Sequence, residues 1–221
     1  PFWGCAFHEQ FKADAAIMAK MAPGTQLVFL YLYYAENTGS VNLTQIAKAL
    51  SLSKATCTRA INDLSASGLI SQTAEGTNKW ITTAYTKSEL LEKAYGRLKT
   101  PVDRILYVKG TAQIEHPIAS GIRALARQSM IGVNDQDGAI AISKKEAAKI
   151  PAEDICTKQY FEDFGGAVIE VWSYDPIILE RDGCVDDISL LLSMDNDPNE
   201  RVQTCLDEIR QKHGLPIKEE E

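Results

Sequence analysis

Between Asn42 and Ile70 the chain carries two short amphipathic segments joined by only three residues, Ser51-Leu52-Ser53. That spacing leaves little freedom, because two helices so close in sequence must cross at a fixed angle and bury the faces they share. Asn42-Leu43-Thr44-Gln45 has the form of a capping box, with a side-chain acceptor at the N-cap and Gln three residues later. Ile46, Ala47, Ala49 and Leu50 fill the helix that follows. Ser53 is placed to cap a second helix over Lys54 to Ser67, which turns Cys57, Ala60, Ile61 and Leu64 to one side and stops at Gly68. Leu69 to Gln72 and Lys79 to Thr82 read as strands, and the loop Thr73 to Asn78 with Gly76 fits a hairpin. Thr86-Lys87-Ser88-Glu89 is a second capping box, opening a helix with Leu90, Leu91, Ala94 and Leu98 inward.

The stretch TQIAKALSLSKATCTRAINDLSASGLI resembles the helix-turn-helix family. The order of elements over residues 25 to 98 resembles the winged helices of MarR-type regulators. The resemblance implies that the second helix enters a DNA major groove. By family position, Ser53, Lys54, Thr56, Thr58, Arg59 and Asn62 form its reading face. Arg59 suits a bidentate pair with a guanine edge and Asn62 suits adenine. Lys54, with Thr44 and Gln45 at the start of the first helix, is placed for phosphates. Two departures stand out. Ser51 occupies the turn position where the family usually has glycine. The hairpin tip offers Glu75 and Lys79 instead of the usual aspartate and arginine, so Asn78 and Lys79 are expected to touch phosphate and not to read a minor groove.

Charge is divided to match. The net charge is -7, yet residues 41–110 hold 10 basic and 5 acidic side chains while residues 111–221 hold 11 and 22. A basic middle beside an acidic end is the asymmetry of a DNA-reading module joined to something else. Upstream, Phe7 to Met21 is expected to be a helix ended by Ala22-Pro23-Gly24. A second, nearly all-round apolar helix is expected to start with Thr25 as N-cap and to run to Ala35, a pattern that predicts burial. Asn37 to Ser40 reads as a loop. Beyond Thr100-Pro101 the pattern becomes mixed: strands at Arg104–Val108, Ala139–Ile142 and Ala167–Trp172, and a helix at Ala119–Ser129. A last helix with Val202, Leu206 and Ile209 inward has Pro198 at its first position and ends before Gly214. The fold class expected is α+β, with a helical N-terminus and winged helix over residues 1–100 and an acidic α/β domain over residues 101–221. The segment IASGIRALARQSMI resembles the C-terminal region of AbiEi-type antitoxin regulators, which pair a winged helix with an α/β domain.

Catalytic signatures are missing. Neither a G-x-S-x-G nucleophile nor a phosphate-binding loop occurs, and Ser120-Gly121 reads as a turn or helix start. Asp182, Asp186, Asp187, Asp195 and Asp197 lack the spacing of a calcium loop and read as a solvated acidic surface, with Asp197 assigned to capping. His8, His116 and His213 are isolated. Phe2, Trp3, Phe161, Phe164 and Trp172-Ser173-Tyr174 are assigned to core packing ahead of a ligand pocket or dimer interface. The cysteines Cys5, Cys57, Cys156, Cys184 and Cys205 are scattered, which predicts free thiols in a reducing cytosol and no zinc site. No apolar run is long enough for a membrane span, and no leader peptide is recognisable. No cofactor or metal is expected. The reading is a cytoplasmic, dimeric, non-enzymatic regulator bound to double-stranded DNA, with the acidic half serving dimerisation, a small-molecule effector or a protein partner. The competing reading is an interaction adaptor or antitoxin-like protein whose acidic half binds its partner.

Overall fold

The computed structural model describes residues 19–35, 41–75, 78–110, 114–132 and 138–217. These divide into two compact units, one ending at Lys99 and the other beginning at Thr100. The fold class is α+β.

In the first unit, α1 spans Pro23–Tyr34 with Ala22 as N-cap. Pro23 therefore does not break the chain; it opens the helix, at a position whose amide would have no partner anyway. Thr25 is one turn inside and buried, not the cap expected for it. Gln26 is buried too, and its side chain is satisfied by the Lys99 backbone, donating to O at 2.8 Å and accepting from N at 3.0 Å. Leu27, Val28, Phe29, Leu30 and Tyr33 complete a helix buried on nearly every side, as its sequence predicts. The helix expected at Phe7–Met21 lies outside the described residues except for Ala19 to Met21, which are not helical. The loop expected at Asn37–Ser40 also lies outside them.

β1 (Val41–Asn42) leads into α2 (Leu43–Ala49), and α3 (Lys54–Ala66) follows. The Asn42/Gln45 capping box forms: Asn42 Oδ1 accepts from Thr44 N at 2.8 Å and Gln45 Oε1 accepts from Asn42 N at 3.2 Å. Ser53 Oγ accepts from Thr56 N at 3.1 Å. Ile46, Leu50, Cys57, Ile61 and Leu64 are all no more than 1% exposed, so the two helices lock through one apolar seam. β2 (Ser71–Glu75) and β3 (Asn78–Thr82) form the wing, paired from Ser71↔Thr82 to Glu75↔Asn78. The hairpin is thus where the pattern put it but its first strand begins two residues later, because Leu69 and Ile70 are core residues ahead of it. β1 adds to the far side of β3, giving the order β1-β3-β2. α4 (Lys87–Tyr95) carries the second capping box and buries Leu90, Leu91 and Ala94.

Ser51 adopts a left-handed backbone, φ 51°. That explains the glycine usually found there: a Cβ in this region costs about 1–2 kcal/mol, partly offset by the lower entropy of an unfolded serine. Ser51→Gly is expected to stabilise the unit by about 0.5–1 kcal/mol in urea titration, and a loss of stability would refute this account of the turn.

The second unit is built on β4 (Val102–Val108), β5 (Ile118–Ala119), β6 (Ala139–Ser143), β7 (Ile155–Cys156) and β8 (Ala167–Trp172). The sheet order is β5-β6-β8-β4-β7, parallel between β6 and β8 and antiparallel elsewhere. Val108, Ile142, Ile169 and Val171 line one face with Ala147, which sits on α6 (Lys144–Ala147). On the other side α5 (Gly121–Gln128) packs on β6, α8 (Asp187–Met194) on α5, and α9 (Glu200–Lys212) on both helices. Trp172 and Tyr174 are core residues, the Tyr174 hydroxyl bonded to Ser189 Oγ at 2.8 Å. α7 (Lys158–Phe164) buries nothing, and Phe164 is 73% exposed, so it does not pack in the core as expected. The last helix is capped by Asn199, with Pro198 ahead of the cap and not at the first helical position; Asp197 Oδ1 accepts from Asn199 N at 2.9 Å. Among the described residues no helix is long and apolar enough to cross a membrane.

Of the five aspartates expected on a solvated surface, Asp182 is exposed, but Asp186 is buried and Asp187, Asp195 and Asp197 are half-buried. Asp186 is 2% exposed and caps α8, its Oδ1 accepting from Ser189 N at 3.0 Å. Asp195 and Asp207 both take hydrogen bonds from the buried Arg210. Asp187 Oδ2 meets Lys212 Nζ and His213 Nε2, each at 2.8 Å, so His213 is not isolated. Burial alone would push the Asp187 carboxyl up, but the hydrogen bonds from His213 and Lys212 outweigh it and hold the carboxyl down, from 3.8 to about 2. A carboxyl lowered on folding stabilises the fold above its unfolded value and loses that contribution as pH falls through the folded value. Asp187→Asn is therefore expected to cost about 2 kcal/mol at neutral pH. The difference from the parent should vanish as pH falls from about 4 towards 2. A pH-independent difference in chemical denaturation would show that the cost lies in packing and not in the charge.

Candidate nucleic-acid interface

The buried positions of α3 leave its other side to solvent. Ala55, Arg59, Asn62 and Ala66 are exposed at helical steps of four, three and four, a stripe opposite Cys57, Ala60, Ile61 and Leu64. The helix has 13 residues, about 20 Å in length, and presents side chains of graded size: small at both ends and long in the middle. Burial pushes the Cys57 thiol up, so the sulfur stays a neutral, apolar part of the seam.

Not all expected contacts have free side chains. Lys54, Arg59 and Asn62 are exposed, as are Thr44, Gln45 and Ser53; Thr58 is half-buried beside the stripe. Gln45 and Ser53, however, are engaged as caps. Thr56 is half-buried, its Oγ1 2.9 Å from Ser53 Oγ. Its methyl faces α1 so closely that a Cβ on Gly24 would come within 3.0 Å of it. Thr56 thus has a packing role, and its polar atom is engaged at the cap. The Arg59 Nε is drawn back to the Ala55 carbonyl at 3.4 Å, which leaves the terminal nitrogens of its guanidinium for other partners.

The electrostatics favour an anion. Among the described residues Lys48, Lys54, Arg59 and Lys79 are exposed and form no ion pair. The one acidic residue of α3, Asp63, is neutralised by Arg97 at 2.9 Å. Lys48, in the last turn of α2, was not among the expected contacts, although a lysine opposite the Ile46/Leu50 face was the signal for it.

On the wing, Lys79 is exposed opposite Ala74, while the Asn78 side chain lies outside the described residues. Gln72 of β2 donates from Nε2 to Asn62 Oδ1 at 3.3 Å, tying wing to helix. Sequence reasoning missed both Gln72 and Ala55. Gln72 had no local signal, since its partner is set by the hairpin's return.

Residues 25–79 match the model of the MarR family, a segment running from α1 to the start of β3. This segment is similar to the winged helix of that family, as the sequence resemblance anticipated. No curated protein and no solved structure matches the chain.

Proposed function

We propose that this protein binds duplex DNA in a sequence-specific manner and acts as a bacterial-type transcriptional regulator without enzymatic activity. The observation that carries the reading is the outer stripe of α3, where Arg59 and Asn62 stand exposed between small residues and beside unpaired lysines. A guanidinium and an amide are the groups that match guanine and adenine edges, and short neighbours let the helix approach the groove floor. Lys48, Lys54 and Lys79 supply phosphate contacts, helped by Thr44 and the backbone amides at the start of α2. The match of residues 25–79 to the MarR family supports the same reading. The protein acts as a cytoplasmic homodimer, since paired half-sites are how a small module reaches useful affinity. Its second unit provides dimerisation or effector binding.

The test is fluorescence anisotropy with duplex DNA from immediately upstream of the native gene against a scrambled duplex, over a salt series. Tight binding that prefers the native fragment is expected. With Lys48, Lys54, Arg59 and Lys79 on phosphates or bases, log K should fall against log salt with a slope of about -3 to -4 per module. Equal, weak binding to both duplexes would refute the proposal and favour the adaptor reading, in which the acidic unit holds a protein partner.

A further inference from the structure

The central strand β8 reads Ala-Val-Ile-Glu-Val-Trp, one carboxylate in an otherwise apolar run. Glu170 is flanked in register by Ile105 on one side and Ala141 on the other and is half-buried. A carboxylate in such a place normally has a cation beside it, because removing it from water is otherwise costly. Among the described residues Glu170 has none. It accepts two hydrogen bonds, both at Oε2: one from the fully buried Ser120 hydroxyl, the other from Trp172 Nε1 at 3.0 Å. Ser120, expected only as a turn or helix start, thus also orients this carboxylate. Two fixed donors on one oxygen hold the group and leave Oε1 over.

Glu170 lines an open cleft of about 530 Å³, which Asp195 and Asp197 also border. Ile122, Ala139, Leu192 and Met194 supply apolar walls. Gly121, at φ 54°, leaves room beside the free oxygen: a Cβ there would stand 3.6 Å from Oε1. The C-terminal end of α8 borders the cleft, adding the partial negative charge of a helix end. No lysine, arginine or histidine lines it among the described residues. A metal ion is a poor match, since no group of three or more His, Cys, Asp or Glu residues is assembled to hold one among the described residues. We propose that this cleft binds an organic cation, a protonated amine or amidine on an apolar body, with its charged head on Glu170 Oε1 and its body against Ile122 and Leu192. The site is independent of the DNA reading, because occupancy is measured on the free protein.

The experiment uses the full chain without DNA. Benzylamine and benzamidine are titrated by calorimetry, with benzyl alcohol as the uncharged counterpart. The Trp172 indole N–H resonance serves as a local reporter, since that proton sits on the same carboxylate. Saturable binding of an amine or amidine is expected, about tenfold or more tighter than the alcohol, with a shift of the Trp172 resonance. Glu170→Gln should weaken the cation at least about tenfold and leave the alcohol unchanged. Leu192→Trp, which narrows the cleft and keeps Glu170 in place, should abolish both. The proposal is overturned if neither cation binds saturably up to about 10 mM, if cation and alcohol bind alike, or if either variant retains the parent's affinity for the cation.

Discussion

Asp63→Ala is expected to destabilise the N-terminal unit by about 3–5 kcal/mol, the largest effect of any single exposed-to-half-buried substitution in it. The reason lies in the partner and not in the residue removed. Asp63 keeps about a third of its side chain in solvent, but the Arg97 guanidinium it binds is only 5% exposed. Arg97 Nε is held by the Ala19 carbonyl at 2.9 Å, and NH1 is buried without a hydrogen-bond partner. Asp63 is thus the one carboxylate facing this cation among the described residues, and its loss strands a charge that cannot turn to water without unpacking the segment after α4. The substitution is read from the midpoint and slope of urea unfolding. Arg97→Met with Asp63→Leu should recover most of the loss, because an apolar pair of similar volume leaves nothing uncompensated. A cost below about 1 kcal/mol for Asp63→Ala would mean that water reaches the guanidinium after all. The functional corollary is that α3 is clamped at its flank, by Asp63, beside a stripe that stays exposed.

What the sequence disclosed was local. Capping boxes at Asn42/Gln45 and Thr86/Glu89 span four residues, and the Cys57-Ala60-Ile61-Leu64 face follows from one period, so both were legible without the rest of the molecule. Exposure of Arg59, Lys54 and Asn62 followed from the same period. Illegible features depend on chain segments far apart. Helix α8 gave no amphipathic signal because Ile188, Ser189, Leu190, Leu191 and Met194 are buried on nearly all sides. Asp187 looked like surface charge because its partners, Lys212 and His213, arrive 25 and 26 residues later. Glu170 looked like any strand glutamate until Ser120, 50 residues earlier, closed on it. At the candidate interface several of the expected residues have two uses. Gln45, Ser53 and Thr56 are polar for the helix ends, and a polar residue at a cap reads the same in sequence as one meant for DNA.

That distinction makes Arg59 the decisive residue, since of the expected contacts it is the long cation in the middle of the exposed stripe. Arg59→Ala should reduce the preference for the native upstream duplex over a scrambled one by about 1–3 kcal/mol, roughly ten- to a hundredfold, while binding to the scrambled duplex weakens far less. Arg59→Lys separates charge from geometry. Lysine keeps the positive charge, so the salt dependence should stay as in the parent, but it lacks the planar fork that grips two acceptors on guanine, so the preference should fall nearly as far as in the alanine variant. Lys54→Ala should do the reverse, weakening both duplexes equally and flattening the salt slope by about one. Asn62 adds a finer test, because Gln72 holds its Oδ1 and so fixes which way its amide points. Gln72→Ala should blur the preference at the base pair that Asn62 reads and at no other, whereas Asn62→Ala removes it outright. If Arg59→Ala and Arg59→Lys both keep the parent's preference, α3 does not read bases through its centre. The cations around it would then serve phosphate alone, and recognition of sequence would have to come from elsewhere in the chain.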